Sequence, residues 1–217
     1  GITWDKIGHD GLATITEAPL RAWVERIAVP RHYQAEPAQN RAVATWLEEL
    51  LTSFGLHVER QGHCANLVAT PPHLGPGRDV ILVGAHYDSV PRCPGADDNG
   101  SAVAALLGCA AACCLWRPEL PIVFVAFNRE EEGLLGSRDF VEALKPAEPF
   151  TVRCAHILEM VGYTDRRPGS QAVLCRRQDS PTQKLNPQAA VGQAPGDLGG
   201  DKVGIADEAR HKRGSRL

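Results

Sequence analysis

The sequence predicts an α/β sandwich, a sheet whose two faces are both covered by helices. Three apolar strands (79–85, 121–127 and 153–159) alternate with helical segments at about 99–115 and 134–145. The strands are almost continuously apolar, as in "VILVG", which is typical of strands buried on both faces. Alternation of strands and helices along the chain is the pattern of α/β folds.

Two helices and two short strands are predicted before this alternating region. Residues 17–28 and 38–54 place apolar side chains at intervals of three and four, as amphipathic helices do, and Gly55 closes the second. The segments "HVER" and "ANLVAT" are strand-like, and a turn-rich break follows at 71–78. These elements add a second helical layer and further strands to the predicted sandwich.

Composition excludes several classes of function. A chain of 217 residues with 43% apolar content can build one sizeable domain. Its net charge of -3 supplies no basic face, so nucleic acid is not expected as a partner. No apolar run reaches the roughly 20 residues of a membrane span. We expect a soluble protein, cytoplasmic or exported with a leader outside this chain; its oligomeric state is not indicated.

The last part of the chain differs from the rest. After Tyr163 the sequence has no aromatic residue and is rich in Gln, Pro, Gly and charged residues. Such a composition buries too little apolar surface to offset the entropy of the chain. We therefore predict a domain over 16–170 and a low-complexity, disordered tail over 171–217.

Acidic clusters follow the three apolar strands. The ends of parallel strands meet at one edge of a sheet, so these clusters are expected to converge there. Carboxylates brought together repel one another unless a cation neutralises them, and one imidazole among carboxylates suits zinc. Two zinc ions about 3.5–4 Å apart could share one carboxylate. The residues concerned are His86, Asp88, Asp97 and Asp98, then Glu130, Glu131 and Glu132, then Glu159.

Four motifs resemble the co-catalytic zinc aminopeptidase family, which also includes glutamate carboxypeptidases and single-zinc glutaminyl cyclases. They are "HYDS", "PGADDNGSAVAALL", "FVAFNREEEGLLGSRDF" and "ILEMVGY", and the similarity extends over about 16–170. The resemblance implies an α/β/α sandwich with a mixed, mostly parallel sheet that is incomplete at its carboxyl-terminal end. It also implies zinc-dependent hydrolysis of a peptide or amino-acyl substrate from one end, by a metal-activated water.

The first two motifs carry family roles onto four residues. By this resemblance His86 would bind the first zinc, and Asp88 would support catalysis by orienting the imidazole. Asp97 would be the carboxylate that bridges the two zinc ions. Asp98 would follow through a peptide bond that is often cis in the family, and would support the bridge without binding metal.

The last two motifs supply the remaining roles. The resemblance assigns Glu130 as the general base and Glu131 as a ligand of the second zinc. Glu132 would occupy a variable position exposed to solvent. Glu159 would bind the first zinc, at a position where the family more often has an aspartate.

The family's second zinc takes one further histidine from a later loop. After Glu131 this chain has only His156 and His211. The strand period of two places His156 on the face opposite Glu159, as a packed core residue, and His211 lies in a basic stretch. A catalytically impaired, shortened member that binds zinc weakly, or only one zinc, is therefore one alternative. Glutaminyl cyclase-like acyl transfer is another, although that pattern lacks the ligand at the position of His86.

Overall fold

A six-stranded mixed sheet lies at the centre of the protein. The computed structural model describes residues 15–115, 118–147, 149–163 and 174–177. The strands are β1 (His57–Gln61), β2 (Asn66–Thr70), β3 (Arg78–His86), β4 (Ile122–Phe127), β5 (Phe150–Ile157) and β6 (Leu174–Arg177). Their order across the sheet is β1-β2-β4-β3-β5-β6. β3 pairs in parallel with both β4 and β5, and the other pairings are antiparallel.

Four α-helices flank this sheet. They are α1 (Glu17–Ile27), α2 (Pro37–Ser53), α3 (Ala102–Leu115) and α4 (Leu135–Ala147), and a π-helical turn (Ala96–Ser101) leads into α3. Pro37 opens α2, where its missing N–H costs no helical hydrogen bond. Every helix and strand predicted between residues 17 and 159 is present, with ends that differ by no more than three residues.

The core has two parts, one on each face of the sheet. On one face, Val83 and Phe124 pack with buried side chains of α1, α2 and α3, including Leu47 and Leu107. On the other face, strand residues such as Leu82 pack with Phe140 of α4. The alternation of Leu82 and Val83 between the two clusters follows from the period of two along a strand. The predicted three-layer α/β sandwich is therefore confirmed.

One helical segment of the described residues, Ala96–Leu115, is long and apolar enough to cross a membrane by length and composition alone. Its side chains, such as Val103, Leu106 and Leu107, are buried among those of α1, α2 and the sheet. The segment is therefore packed as the core helix of a globular domain.

β6 lies inside the segment that the sequence predicts as a tail. Its residues 174–177 pair with Cys154–Ile157 at the edge of the sheet, so the tail prediction is wrong for these four residues. The open edge of β5 offers backbone hydrogen bonds to any short segment that can reach it. Amino-acid composition does not predict such backbone pairing. Residues 164–173 and 178–217, including His211, lie outside the described residues.

Candidate metal centre

The parallel strands bring the predicted site residues to one edge of the sheet. His86 ends β3, the loop with Glu130 and Glu131 follows β4, and Glu159 comes two residues after the end of β5. Because β3 lies between β4 and β5, these three segments are neighbours although they are far apart in sequence. This is the edge at which ligands bind in open α/β sheets.

The imidazole of His86 lies at the centre of the acidic groups. Its side chain is 3% exposed, and Nε2 lies 3.3 Å from Asp98 Oδ1, 3.5 Å from Glu159 Oε1 and 3.8 Å from Glu130 Oε2. Nδ1 faces Asp88 Oδ1 at 3.3 Å. These are ion-pair separations, and neither ring nitrogen makes a well-formed hydrogen bond within the described part of the chain.

The donor groups fit zinc. Two sets of three have ligand atoms within 4.8 Å of one another: His86 with Asp98 and Glu159, and His86 with Glu130 and Glu131. Glu131 Oε1, like both nitrogens of His86, is buried without a hydrogen-bond partner among the described residues. Two ligands of a tetrahedral zinc at about 2.0–2.1 Å lie about 3.3 Å apart. The distances from His86 Nε2 to Asp98 and Glu159 match this separation.

The two adjacent aspartates have the reverse of the expected arrangement. Asp98 faces His86, whereas Asp97 Oδ1 accepts hydrogen bonds from Ser101 Oγ at 2.9 Å and from the backbone N–H of Gly162 and Tyr163 at 2.9 and 3.1 Å. The cis peptide bond follows Asp98, not Asp97. Asp98 has non-helical backbone angles inside the π-helical turn, so the two side chains point in different directions. The sequence-based expectation places Asp97 on metal and Asp98 behind it, whereas in the structure Asp98 is the one that lies beside the imidazole.

Asn99 is a positioning residue that the sequence analysis missed. It is fully buried, and its Nδ2 donates to Glu159 Oε2 at 2.9 Å and to Leu158 O at 3.1 Å. Its Oδ1 accepts the backbone N–H of Met160 at 2.9 Å. Asn99 therefore links the acidic turn to the segment after β5 and orients Glu159. The only sequence signal for this role is its place directly after the aspartate pair.

Asp88 supports both the imidazole of His86 and the loop that carries the two glutamates. It is fully buried, and its two oxygens accept the backbone N–H groups of Glu130 and Glu131, each at 3.1 Å. The same carboxylate lies next to Nδ1 of His86. A carboxylate at Nδ1 favours the tautomer that leaves Nε2 free to bind metal. Asp88 thus fixes the imidazole and the glutamate loop together.

Glu132 is not solvated, so that expectation is wrong. Its carboxylate pairs with Arg129 Nε at 2.5 Å, and its side chain is 14% exposed. The guanidinium of Arg129 also lies 4.5 Å from the centre of the Tyr33 ring, a cation–π contact. The backbone turns sharply in this loop, with positive φ at Arg129 and Leu134. The Glu132 side chain therefore lies against Arg129 and not in solvent.

His156 is set apart from the metal-ligand groups. It lies in β5, is half-buried, and its Nε2 is 3.6 Å from Cys154 Sγ. It is therefore less enclosed than the packed core residue predicted from the strand pattern. Among the described residues, His86 is the one histidine in either candidate ligand group.

Crowded negative charge perturbs the ionisation of the centre. Burial, followed by the charge of Asp98, raises the pKa of Glu131 to about 7. Burial also raises the pKa of Glu130. Burial alone would lower the pKa of His86, but Asp88, Asp98 and Glu159 outweigh it and raise that pKa well above its ordinary value. A bound cation would relieve this repulsion.

The metal-free protein is therefore expected to lose stability as the pH rises from about 5 to about 8. Between its ordinary pKa of 4.5 and about 7, Glu131 binds more protons in the folded than in the unfolded state, so stability falls with rising pH. His86 acts in the same direction, because its stabilisation is complete below 6.5 and is lost through its raised folded pKa. The part of this loss that comes from Glu131, allowing for solvent screening, is on the order of 1–2 kcal/mol.

Thermal unfolding in EDTA at several pH values measures this effect. The Glu131→Gln variant is the control, and its midpoint should change less with pH. Added zinc should restore the midpoint of the parent at pH 8. A midpoint that rises steadily between pH 5 and 8 would contradict the expected charge repulsion.

Known proteins with similar sequences include aminopeptidases. Aminopeptidase YwaD of Bacillus subtilis (strain 168) is 43% identical over 84 residues, which are 39% of this chain and 18% of that protein. The uncharacterized protein YfbL of Escherichia coli (strain K12) is 35% identical over 144 residues, covering 59% of this chain and 44% of that protein. The chain thus spans less than half the length of these relatives.

Solved structures confirm the fold. The aminopeptidase LapA of Legionella pneumophila superposes with a TM-score of 0.65 at 21% identity, over 75% of this chain and 48% of that one. A Zn-dependent exopeptidase from Parabacteroides distasonis gives 0.57 at 23% identity, over 69% and 63%. The glutaminyl cyclase of Porphyromonas gingivalis gives 0.56 at 26% identity, over 68% and 60%.

The family match agrees with both comparisons and with the four motifs. The model of Peptidase family M28 matches residues 66–196, which is more than half of the chain and includes every residue of the candidate centre. The resemblance to zinc aminopeptidases that the motifs carry is thereby confirmed. The chain belongs to Peptidase family M28.

Proposed function

We propose that this chain carries the metal centre of a zinc-dependent, aminopeptidase-like hydrolase. One observation carries the proposal: among the described residues, His86 Nε2 and Glu131 Oε1 are buried without hydrogen-bond partners amid converging carboxylates. Buried polar atoms are normally hydrogen-bonded, so atoms left unpaired at one place need another partner. A divalent cation is the partner that suits imidazole and carboxylate groups together.

The proposed ligands divide between two zinc ions. His86 and Glu159 would hold the first and Glu131 the second, with Asp98 between them as the bridging carboxylate. The position of Asp98 supports this role, because it faces His86 and its charge is the largest effect on the pKa of Glu131 after burial. Bound zinc would polarise the scissile carbonyl and lower the pKa of a water from about 15.7 toward about 7.

Glu130 is proposed as the general base. Its Oε2 lies 3.8 Å from His86 Nε2, and its backbone N–H is held by Asp88. Burial raises the pKa of Glu130 in the metal-free protein, which favours the proton uptake that a general base requires. Its carboxylate would take a proton from the attacking water and deliver it to the departing amine.

Zinc content and amine release test this proposal. The 217-residue chain is dialysed against zinc, and release of a chromogenic amine from amino-acyl substrates is then followed with and without EDTA. We expect one zinc to bind more tightly than the second, because His86, Asp98 and Glu159 form the more complete group. Loss of amine release in EDTA and its recovery with zinc are the supporting result.

A parallel assay addresses acyl transfer, the alternative reaction. Ammonia release from a peptide with an amino-terminal glutamine would be expected from glutaminyl cyclase-like chemistry. Ammonia release without any amine release would replace the proposed hydrolysis. A chain that binds no zinc at millimolar concentration would overturn both.

A further inference from the structure

Arg31 is a fully buried arginine close to the metal centre. Within the described part of the chain its guanidinium donates to backbone carbonyls: Nε to Tyr87 at 2.6 Å, Nη2 to Gly95 at 2.9 Å, and Nη1 to Pro94, to Ile27 at the end of α1 and to Val29 just after it. One side chain thus joins the end of α1, the residue after β3, and the turn before Asp98. Five donors in a rigid fork make arginine suited to such a role.

The same loop has other attachments to the connection between α1 and α2. Ser89 Oγ accepts the backbone N–H of Arg31 at 3.1 Å and donates to Cys93 O at 2.9 Å. Glu36 accepts the backbone N–H of Arg92 at 3.1 Å through Oε1. The loop between His86 and Asp98 is therefore held along its length by the α1–α2 connection.

Gly95 transmits this hold to the acidic turn. Its carbonyl accepts both Arg31 Nη2 and the backbone N–H of Gly100 at 3.1 Å, which closes the turn that contains Asp98. Gly95 has a φ of +53°, and a Cβ there would lie 2.2 Å from the carbonyl oxygen of Asp98. This close packing of the turn therefore requires glycine at position 95.

A buried amide pair links Arg31 to the second carboxylate loop. Asn40 Nδ2 donates to Arg31 O and to Asn128 Oδ1, both at 2.9 Å, and Asn128 Nδ2 returns a bond to Asn40 Oδ1. Asn128 Oδ1 also accepts the backbone N–H of Arg129, next to Glu130. Arg31 thus stands between the two loops that supply the carboxylates.

The positive charge of Arg31 is balanced by carboxylates of the candidate metal centre. None of the ion pairs found within 4.0 Å among the described residues includes its guanidinium. The carboxylates that favour its charged form are Asp88, Asp98 and Glu131. Burial lowers the pKa of Arg31 to about 10, so it remains a cation at neutral pH. Its counter-charges are therefore the carboxylates of the proposed site.

We propose that Arg31 is a positioning residue that holds the His86–Asp98 loop in the arrangement that binds metal. This inference rests on the proposed function. Arg31 lies 55 positions before His86 in the sequence. Its side chain acts on the backbone of the loop and not on the side chains of His86 or Asp98. The role depends on the fork of donors, because a single ammonium group cannot reach the carbonyls of Tyr87, Pro94 and Gly95 together.

Arg31→Lys tests this role in the 217-residue chain. It keeps the charge and loses the fork. We expect zinc to bind about 10–100-fold more weakly than to the parent, the usual loss when a residue supporting a metal ligand is changed. The absorption spectrum of bound cobalt should shift as well, because the ligand geometry changes. In the metal-free protein, hydrogen exchange at the Gly100 amide should become faster relative to the amides of β4.

Leu47→Ala is the matched control. Leu47 is fully buried in α2, away from the loop, and its truncation costs stability of about 2–5 kcal/mol. A variant that is merely less stable should keep zinc affinity within about two-fold and leave the cobalt spectrum unchanged, because the ligands remain in place.

The possible results distinguish a failure of the proposed function from a failure of the role of Arg31. A parent chain that binds no zinc overturns the proposed function itself. A parent that binds zinc while Arg31→Lys binds it equally well, with the same cobalt spectrum, overturns only the role of Arg31. Should Arg31→Lys fail to fold, Ser89→Ala loosens the same loop with a smaller change. Its zinc affinity is expected to fall about three- to ten-fold, and parental affinity in Ser89→Ala would also overturn the role.

Discussion

Asp98→Asn is expected to remove tight zinc binding from the chain. Asp98 Oδ1 lies 3.3 Å from His86 Nε2, and its charge is the strongest carboxylate influence on Glu131. An amide has no negative charge and only one oxygen, so it cannot bridge two cations as a carboxylate does. We expect zinc affinity to fall at least about 100-fold, measured by competition with a chelator of known affinity.

Asp97→Asn is the matched control for that variant. It makes the same chemical change one residue away, and the remaining oxygen can still accept the hydrogen bonds of Ser101, Gly162 and Tyr163. Zinc affinity is expected to stay within about three-fold of the parent, because no ligand is lost. The opposite result, with Asp97→Asn losing zinc and Asp98→Asn keeping it, would restore the order expected from the sequence.

Glu130→Gln is expected to lower amine release by about 100- to 10,000-fold while zinc remains bound. Glutamine has nearly the shape of glutamate but cannot accept a proton from water. The loop itself should be unaffected, because Asp88 binds the backbone N–H of Glu130 and not its side chain. The measurement is the rate of chromogenic amine release at saturating zinc, together with the zinc content of each variant.

Glu132→Gln serves as the control within the same loop. Glu132 pairs with Arg129, so the change removes a charge close to Glu130 without touching the proposed base. We expect a rate within about three-fold of the parent, since the change leaves the proposed base and the proposed metal ligands in place. Equal rates for the parent and Glu130→Gln would refute the assignment of the base.

Much of the fold follows from the sequence because its signals are local. The strands that become β3 and β4 are runs of apolar residues, and the amphipathic helices repeat every three or four residues. Their order determines that the carboxyl ends of β3, β4 and β5 meet. The convergence of His86, Glu130, Glu131 and Glu159 could therefore be expected from the sequence alone.

What the sequence could not supply depends on backbone geometry and distant contacts. Adjacent Asp97 and Asp98 are chemically identical, and only the backbone angles of the turn decide which one faces His86. Arg31 carries no sequence signal for a site, because its acceptors are carbonyls present at every residue. Four residues of β6 belong to the sheet through pairing with β5, which no local pattern encodes.

Asp88 fixes the backbone of the glutamate loop through main-chain N–H groups and not through the side chains that would perform the chemistry. The Asp88 carboxylate accepts the backbone N–H groups of residues 130 and 131. The backbone positions of these two residues therefore do not depend on the side chains that they carry. New metal-binding or acid–base groups could therefore be introduced at these two positions by exchange of side chains alone. That makes the loop a natural starting point for redesigning the reactivity of the fold, with Asp88 as the residue that must be kept.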